Sequence, residues 1–198
     1  MPATVSFPLA VILSYLLGAV PFGLVAGLLL KGVDIRQHGS RNIGATNAMR
    51  VLGRPVGIGV HVLDIGKGFV PAFCFPRLFL PAGHSLAPAL GIACGLAAIV
   101  GHVFPIYLRF RGGKGMATSL GVFLGLAWLP TLAAVALWVV VRQATRYVSV
   151  ASMTAIAAIP LGMAFLPDPF AGGARTWCRA ELVVFGAAVA ALVIARHK

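Results

Sequence analysis

The sequence predicts an all-α, polytopic integral membrane bundle with about seven transmembrane helices. Three observations carry that expectation. Of 198 residues, 60% are hydrophobic and only 10% are charged. Mean hydropathy is +0.97. Apolar runs of spanning length recur from one end of the chain to the other. A soluble domain averages about 45–50% apolar and about 25% charged residues. A water-soluble fold of this composition would lack the charges to cover its surface, and a disordered chain is excluded more firmly still.

The apolar runs fall at about 5–30, 56–80, 86–108, 116–141, 148–166 and 180–195, and a span takes roughly 20 residues. The simple count is six, but the charges argue for seven. Trp128-Leu129-Pro130-Thr131 interrupts the 116–141 run with an interfacial aromatic and a helix breaker. If the chain surfaces there, residues 115–129 and 132–147 make two short spans, which implies local thinning or burial among other helices. Lys31, Arg36, Arg41, Arg50, Arg54, Arg109, Arg111, Lys114, Arg142, Arg146, Arg196 and Lys198 then share one face, with Arg77, Arg175 and Arg179 opposite and Lys67 within a span. That asymmetry matches a cytoplasmic face under the positive-inside rule. The expected topology has the N-terminus outside and the C-terminus cytoplasmic, in one membrane domain over residues 1–198.

Lys and Arg number 16 against 4 Asp and Glu, a net charge of +12. Topology, anionic lipid and an anionic substrate can each account for such an excess. No basic block lies outside the apolar runs, so nucleic acid is not an expected partner. Asp34, Asp64, Asp168 and Glu181 are scattered, with no local pair to hold Mg²⁺, and no protein-bound metal is expected. Cys74, Cys94 and Cys178 form no C-x-x-C pair and read as small buried hydrophobes. The first positive charge is Lys31, so no signal peptide is expected. The small-xxx-small pairs Gly23/Gly27, Gly91/Gly95 and Gly121/Gly125 predict close backbone approach.

Two polar stretches stand out, both on the expected cytoplasmic face. The first is Gly39-Ser40-Arg41-Asn42-Ile43-Gly44-Ala45-Thr46-Asn47-Ala48-Met49-Arg50. Glycines permit a backbone concavity, while hydroxyls, amides and guanidinium groups hydrogen-bond anionic oxygen. The combination suits a phosphate monoester, although a turn-rich polar loop would look similar. The second runs from Gly101-His102-Val103-Phe104-Pro105 to Phe110-Arg111-Gly112-Gly113-Lys114-Gly115-Met116-Ala117-Thr118. A helix beginning near Gly115 would set its N-terminal amides beside Lys114 as an anion site. It is not a Walker A loop, because Gly115 stands where the Mg²⁺-binding hydroxyl belongs. Together the stretches suggest two anionic groups, or one clamped from both sides.

Asp64 and Lys67 share a helix face inside an apolar segment, and each would cost roughly 2.5–3.5 kcal/mol unpaired at mid-membrane. They are expected to pair with each other or to line the polar site. Ser149 and Ser152, one turn apart where the chain re-enters the membrane, are candidates for the same pocket. His102 and His197 sit at cytoplasmic span ends, while His38, His61 and His84 have no nameable partner.

Four segments carry a family resemblance: Gly39-Ser40-x-Asn42-Ile43-Gly44-Ala45-Thr46-Asn47-x-x-Arg50, Asp64-x-x-Lys67-Gly68, Gly101-His102-x-x-Pro105, and Gly112-Gly113-Lys114-Gly115-x-Ala117-Thr118. With Gly18-x-x-Pro21-Phe22-Gly23 in the first span, they resemble the bacterial acyl-phosphate:glycerol-3-phosphate acyltransferases, the PlsY family. The resemblance implies a seven-span inner-membrane enzyme whose active site faces the cytoplasm. Its substrates would be acyl phosphate and sn-glycerol 3-phosphate, acylated at the 1-hydroxyl to give lysophosphatidate and inorganic phosphate. It further implies that Ser40, Asn42, Gly44, Thr46, Asn47 and Arg50 serve the glycerol phosphate and phosphate site. Lys114 with Gly112 and Gly113 would hold a phosphate, and Ser149, Ser152 and His197 would complete the pocket. Ser40, Arg50 and Lys114 are the expected catalytic residues, with Asp64, Lys67 and His102 in support. Family members continue past Arg196-His197 into a short tail with an Asn, whereas this sequence ends at Lys198. Either the sequence is truncated or this member manages without the tail.

An acyl phosphate is already activated, so the expected chemistry is direct transfer without metal, thiol or cofactor. Ser40 as a transient acyl carrier is the rival within the reaction. Bilayer lipids are the expected surroundings, and no obligatory protein partner is predicted. The alternative class is a small anion or phosphate transporter, which would show an inverted repeat that the sequence lacks.

Overall fold

The computed structural model describes residues 3–165 and 176–196, apart from the side chains of 176–179. Every regular element among the described residues is helical. Among the described residues, four helical stretches are long and apolar enough to cross a membrane: Arg54–Phe79, Ala87–Leu108, Trp128–Thr145 and Val148–Phe165. A bent pair, α1 (Ala3–Ala19) and α2 (Phe22–Lys31), makes a fifth candidate, and two shorter apolar helices are Met116–Leu126 and Ala180–Ala195. The chain is thus an all-α polytopic membrane protein, with four to five candidate spans by length and composition among the described residues.

The expected 5–30 run is not one straight helix. It bends by 44° between α1 and α2, because Pro21 has no N–H to continue the ladder and sits at non-helical φ −90°, ψ 73°. The Arg54–Phe79 stretch also changes character midway. α4 (Arg54–Phe69) passes through a π-helical turn, Val70–Cys74, into α5 (Phe75–Phe79). Pro71 and Pro76 remove two ladder donors there, and the Phe75 amide reaches back to the Val70 carbonyl.

The chain divides into two compact units, Met1–Val122 and Phe123–Lys198. In the first, α6 (Ala87–Val103) packs on α1 through bare backbone. A Cβ on Gly18 would strike the Ala98 backbone, and one on Gly101 would strike the Tyr15 carbonyl. Tyr15 Oη locks the pair by donating to the Phe104 carbonyl at 2.8 Å. The start of α7 (Met116–Leu126) crosses α4 in the same way, with Gly68 against Thr118 and Gly121 against Ile65. Small residues are what let backbones meet where lipid supplies no hydrophobic drive. Gly23 and Gly27 pack differently from the helix–helix pairing their spacing suggests. They receive the carbonyls of Ile43 and Val33, residues of the polar loop that follows α2.

In the second unit, α8 (Trp128–Thr145), α9 (Val148–Phe165) and α10 (Thr176–Ala195) pack in sequence order. The break before α8 falls at Ala127, φ −152° and ψ 66°, ahead of the Trp128–Thr131 site expected to carry it. Pro130 lies in the first turn of α8, where a missing N–H costs nothing. α8 is therefore 18 residues long, not a short span, and the shortness falls on α7, with 11 residues. Arg146 turns α8 into α9 in the left-handed region, φ 61°.

Candidate active site

The first polar stretch is held from inside by one amide. Gly32 ends α2 at φ 62°. Asp34 then starts a 3₁₀ turn, Ile35–Gln37, by accepting from the Arg36 amide at 2.9 Å, and it also pairs with the Arg36 guanidinium at 2.7 Å. That hydrogen-bonded guanidinium holds the Asp34 carboxyl below its ordinary range, and the carboxylate raises Arg36 in turn. Asn47, 1% exposed, projects from α3 (Ala45–Leu52) back into the loop. Its Oδ1 accepts from the Ser40 amide at 2.8 Å. Its Nδ2 donates to Ile35 at 2.8 Å, His38 at 3.1 Å and Asn42 at 2.9 Å, all carbonyls. Asn42 Oδ1 accepts from the Gly44 amide at 2.8 Å, which shapes the entry to α3.

These bonds divide the expected site residues by role. The Asn47 side chain is consumed in holding the loop, and the Asn42 carbonyl oxygen of the side chain in turning it. Gly39, at φ 59°, lies so close to Asn47 Oδ1 that a Cβ would collide with it. Ser40, Thr46 and Arg50 are exposed. Thr46 and Arg50 stand one turn apart on α3, opposite the buried Asn47 and Ala48. Hydroxyls and a guanidinium thus face outward from a loop that Asn47 holds from inside.

The second stretch is folded onto the end of α6. Arg109 and Phe110 take positive φ, 51° and 63°, and turn the chain back. The Gly112 amide donates to the Val103 carbonyl at 3.2 Å and the Gly113 amide to the His102 carbonyl at 3.1 Å. A Cβ on Gly112 would strike those carbonyls, and one on Gly113 would strike the His102 ring. Both glycines therefore serve close approach, and their amides are already engaged. Lys114 is half-buried, and after Gly115 at φ 84° the chain enters α7. The first amides of α7 have no intrahelical acceptor, so they and Lys114 are the groups left for an anion.

Behind this turn lies a buried charged cluster. Asp64 and Lys67 are 2% and 3% exposed. Lys67 Nζ lies 2.7 Å from Asp64 Oδ1, donates to the Val20 carbonyl at 2.8 Å, and sits 5.5 Å from the Phe22 ring centroid. The expected pairing of Asp64 with Lys67 is present. His102 joins it, with Nδ1 3.9 Å from Asp64 Oδ1. Asp64 Oδ1 is thus engaged by the Lys67 ammonium, whereas His102 Nδ1 is buried without a hydrogen bond. Thr118 Oγ1 and Ser119 Oγ, at the start of α7, are likewise buried without one. The Ala-Thr after the Gly-Lys-Gly run signalled Thr118. No local pattern signalled that His102 would meet Asp64.

In the second unit, Ser149 is exposed at the start of α9, while Ser152 is buried and accepts from Trp138 Nε1 at 3.1 Å. The two serines therefore differ in environment despite sharing a helix. His197, with Asp168, Arg175 and Lys198, lies outside the described residues, as do the Cys178 and Arg179 side chains. Among the described residues no group of three His, Cys, Asp or Glu side chains comes together.

The fold and these two basic, glycine-bearing polar loops define an all-α polytopic integral membrane protein. The model for the family described as glycerol-3-phosphate acyltransferase matches residues 8–198. The glycerol-3-phosphate acyltransferase of Geotalea daltonii is 44% identical over 93% of this chain and 87% of its own. The Staphylococcus aureus relative of the same description is 43% identical over 94% and 88%. The crystal structure of PlsY (YgiH), an integral membrane glycerol 3-phosphate acyltransferase, in its glycerol 3-phosphate form superposes with a TM-score of 0.82 at 36% identity, covering 97% of this chain and 88% of that one. Its lysophosphatidic acid form gives 0.81 at 35% identity, covering 98% and 88%. The chain belongs to the glycerol-3-phosphate acyltransferase family.

Proposed function

We propose that this protein transfers an acyl group from acyl phosphate to the 1-hydroxyl of sn-glycerol 3-phosphate, releasing lysophosphatidate and inorganic phosphate. The observation that carries this reading is the family match across residues 8–198, which takes in both polar loops. The whole chain acts as one seven-span acyltransferase domain of the bacterial inner membrane. Its N-terminus is outside, and both loops face the cytoplasm, in keeping with the distribution of Lys and Arg.

Ser40, Thr46 and Arg50 take one phosphate-bearing group, presented by the loop that Asn42, Gly44 and Asn47 shape. Lys114 and the first amides of α7 take another, with Gly112 and Gly113 allowing the approach. Ser149, Ser152 and His197 are the further substrate-binding residues of this reading. The glycerol hydroxyl oxygen attacks the acyl carbonyl carbon, the carbonyl carbon–oxygen bond to phosphate breaks, and a phosphate oxygen accepts the hydroxyl proton. Holding the reactants together contributes up to ~7–11 kcal/mol in favourable systems. Lys114 and Arg50 stabilise the charge that develops on the leaving phosphate and the carbonyl oxygen.

The test offers purified protein glycerol 3-phosphate with palmitoyl phosphate, palmitoyl-CoA or palmitoyl-carrier protein, each with chelator present. Lysophosphatidate should form from palmitoyl phosphate alone. Silence with all three donors from folded protein overturns the reading and points to phosphate flux in vesicles. An acyl-Ser40 species trapped in quenched reactions would replace direct transfer with a two-step route.

A further inference from the structure

The buried charges of the first unit lie between the two loops. On one side Lys67 bonds the Val20 carbonyl at the α1–α2 bend and lies beneath Phe22. The next residue, Gly23, is the seat of the Ile43 carbonyl in the first loop. On the other side Asp64 Oδ1 faces His102 Nδ1. The His102 ring packs against Gly113, and its backbone carbonyl accepts from the Gly113 amide. A path therefore runs from Ile43 to Gly23, along the chain to Phe22, and on through Lys67, Asp64 and His102 to Gly113. A cluster serving stability alone would gain from apolar replacement, since buried ion pairs are costly to keep. This one sits where a shift of one ring would move the turn that carries Lys114.

We propose that Asp64, Lys67 and His102 form a positioning cluster for acyl transfer, setting the 112–114 turn in register with the α1–α2 bend and, through it, with the first loop. His102 is the joint. Its Nδ1 edge faces the Asp64 carboxylate at 3.9 Å, and its Nε2 edge lies against Gly113. The cluster touches neither substrate. The proposal rests on the reading of Lys114 as a phosphate ligand.

The test is initial-rate kinetics of the full chain in lipid nanodiscs, varying glycerol 3-phosphate and palmitoyl phosphate separately, with melting temperatures on the same samples. His102→Gln loses the group facing Asp64 at the Nδ1 position. It should raise KM for a phosphate substrate roughly five- to thirtyfold with little change in kcat or melting temperature. His102→Asn, which restores a donor near the Nδ1 position, should recover most of that affinity. Gly113→Ala pushes on the ring from the other side and should raise the same KM, with a smaller penalty in a His102→Ala background than alone. Gly113→Ala also reads the joint if His102→Gln does not fold. Unchanged KM values in His102→Gln and Gly113→Ala overturn the proposal. Equal losses in the Gln and Asn variants that track melting temperature do so as well. Lys114→Ala separates the two readings. If it loses activity while the His102 variants behave as wild type, only the positioning cluster falls, and if it is fully active, the phosphate-ligand reading itself fails.

Discussion

The two polar loops of the first unit solve one problem by different means. Each must hold an irregular backbone steady at the edge of a membrane domain while leaving cationic groups outward. The loop before α3 does so locally. Neutral Asn47 satisfies one amide and three carbonyls of its own segment. The loop before α7 does so through the bundle, its glycines lying on the last carbonyls of α6 and its neighbour His102 facing a buried ion pair on α4. A local staple costs little and tolerates change elsewhere. A staple made of buried charge ties the loop to helices distant in sequence, so its failure should appear in substrate geometry before it appears in stability.

The contrast predicts a graded series. Lys114→Ala should have the largest effect, removing the charge proposed to meet developing negative charge and lowering kcat/KM by at least about 100-fold. Its expression and membrane insertion should match wild type in detergent-extraction assays. Asn47→Ala comes next and acts on the fold, stranding buried backbone groups at about 1–3 kcal/mol. Its melting temperature should fall measurably. Gly68→Ala, against the Thr118 backbone, should cost about 1–3 kcal/mol by forcing α4 and α7 apart, read as a lower melting temperature.

The smallest effect belongs to the exposed Asp34–Arg36 pair, worth under about 1 kcal/mol. Because Asp34 is lowered in the folded chain, its contribution is present above the unfolded aspartate pKa of about 3.9. It fades as pH falls through the lower folded value. Asp34→Asn should remove that acid-side dependence and leave neutral-pH turnover unchanged. A neutral-pH loss would mean the 3₁₀ turn matters to the site.

The membrane class and the loops were legible because composition and motif are local properties. The break between α7 and α8 was legible in kind, since Pro130 marked it. Its place was not, because proline is as well suited to start a helix as to end one, and α8 begins just before it. Three features depend on tertiary approach and left no local trace. Gly23 and Gly27 have helix-pairing spacing but seat a loop. Asn47 looks like a ligand among ligands, yet its side chain turns inward from α3. His102 and Asp64 come from different helices, and only their packing makes them neighbours. In each case residue type was readable and side-chain direction was not.

The most direct test of the account is the initial rate of lysophosphatidate formation by Asn47→Ala and Lys114→Ala, each expressed per folded molecule. Asn47→Ala, once corrected for folded fraction, should stay within about tenfold of wild type, whereas Lys114→Ala should stay at least about 100-fold below it. Full turnover by folded Lys114→Ala would contradict it. So would a folded Asn47→Ala with normal stability and no turnover, because that amide would then be serving substrate and not the loop.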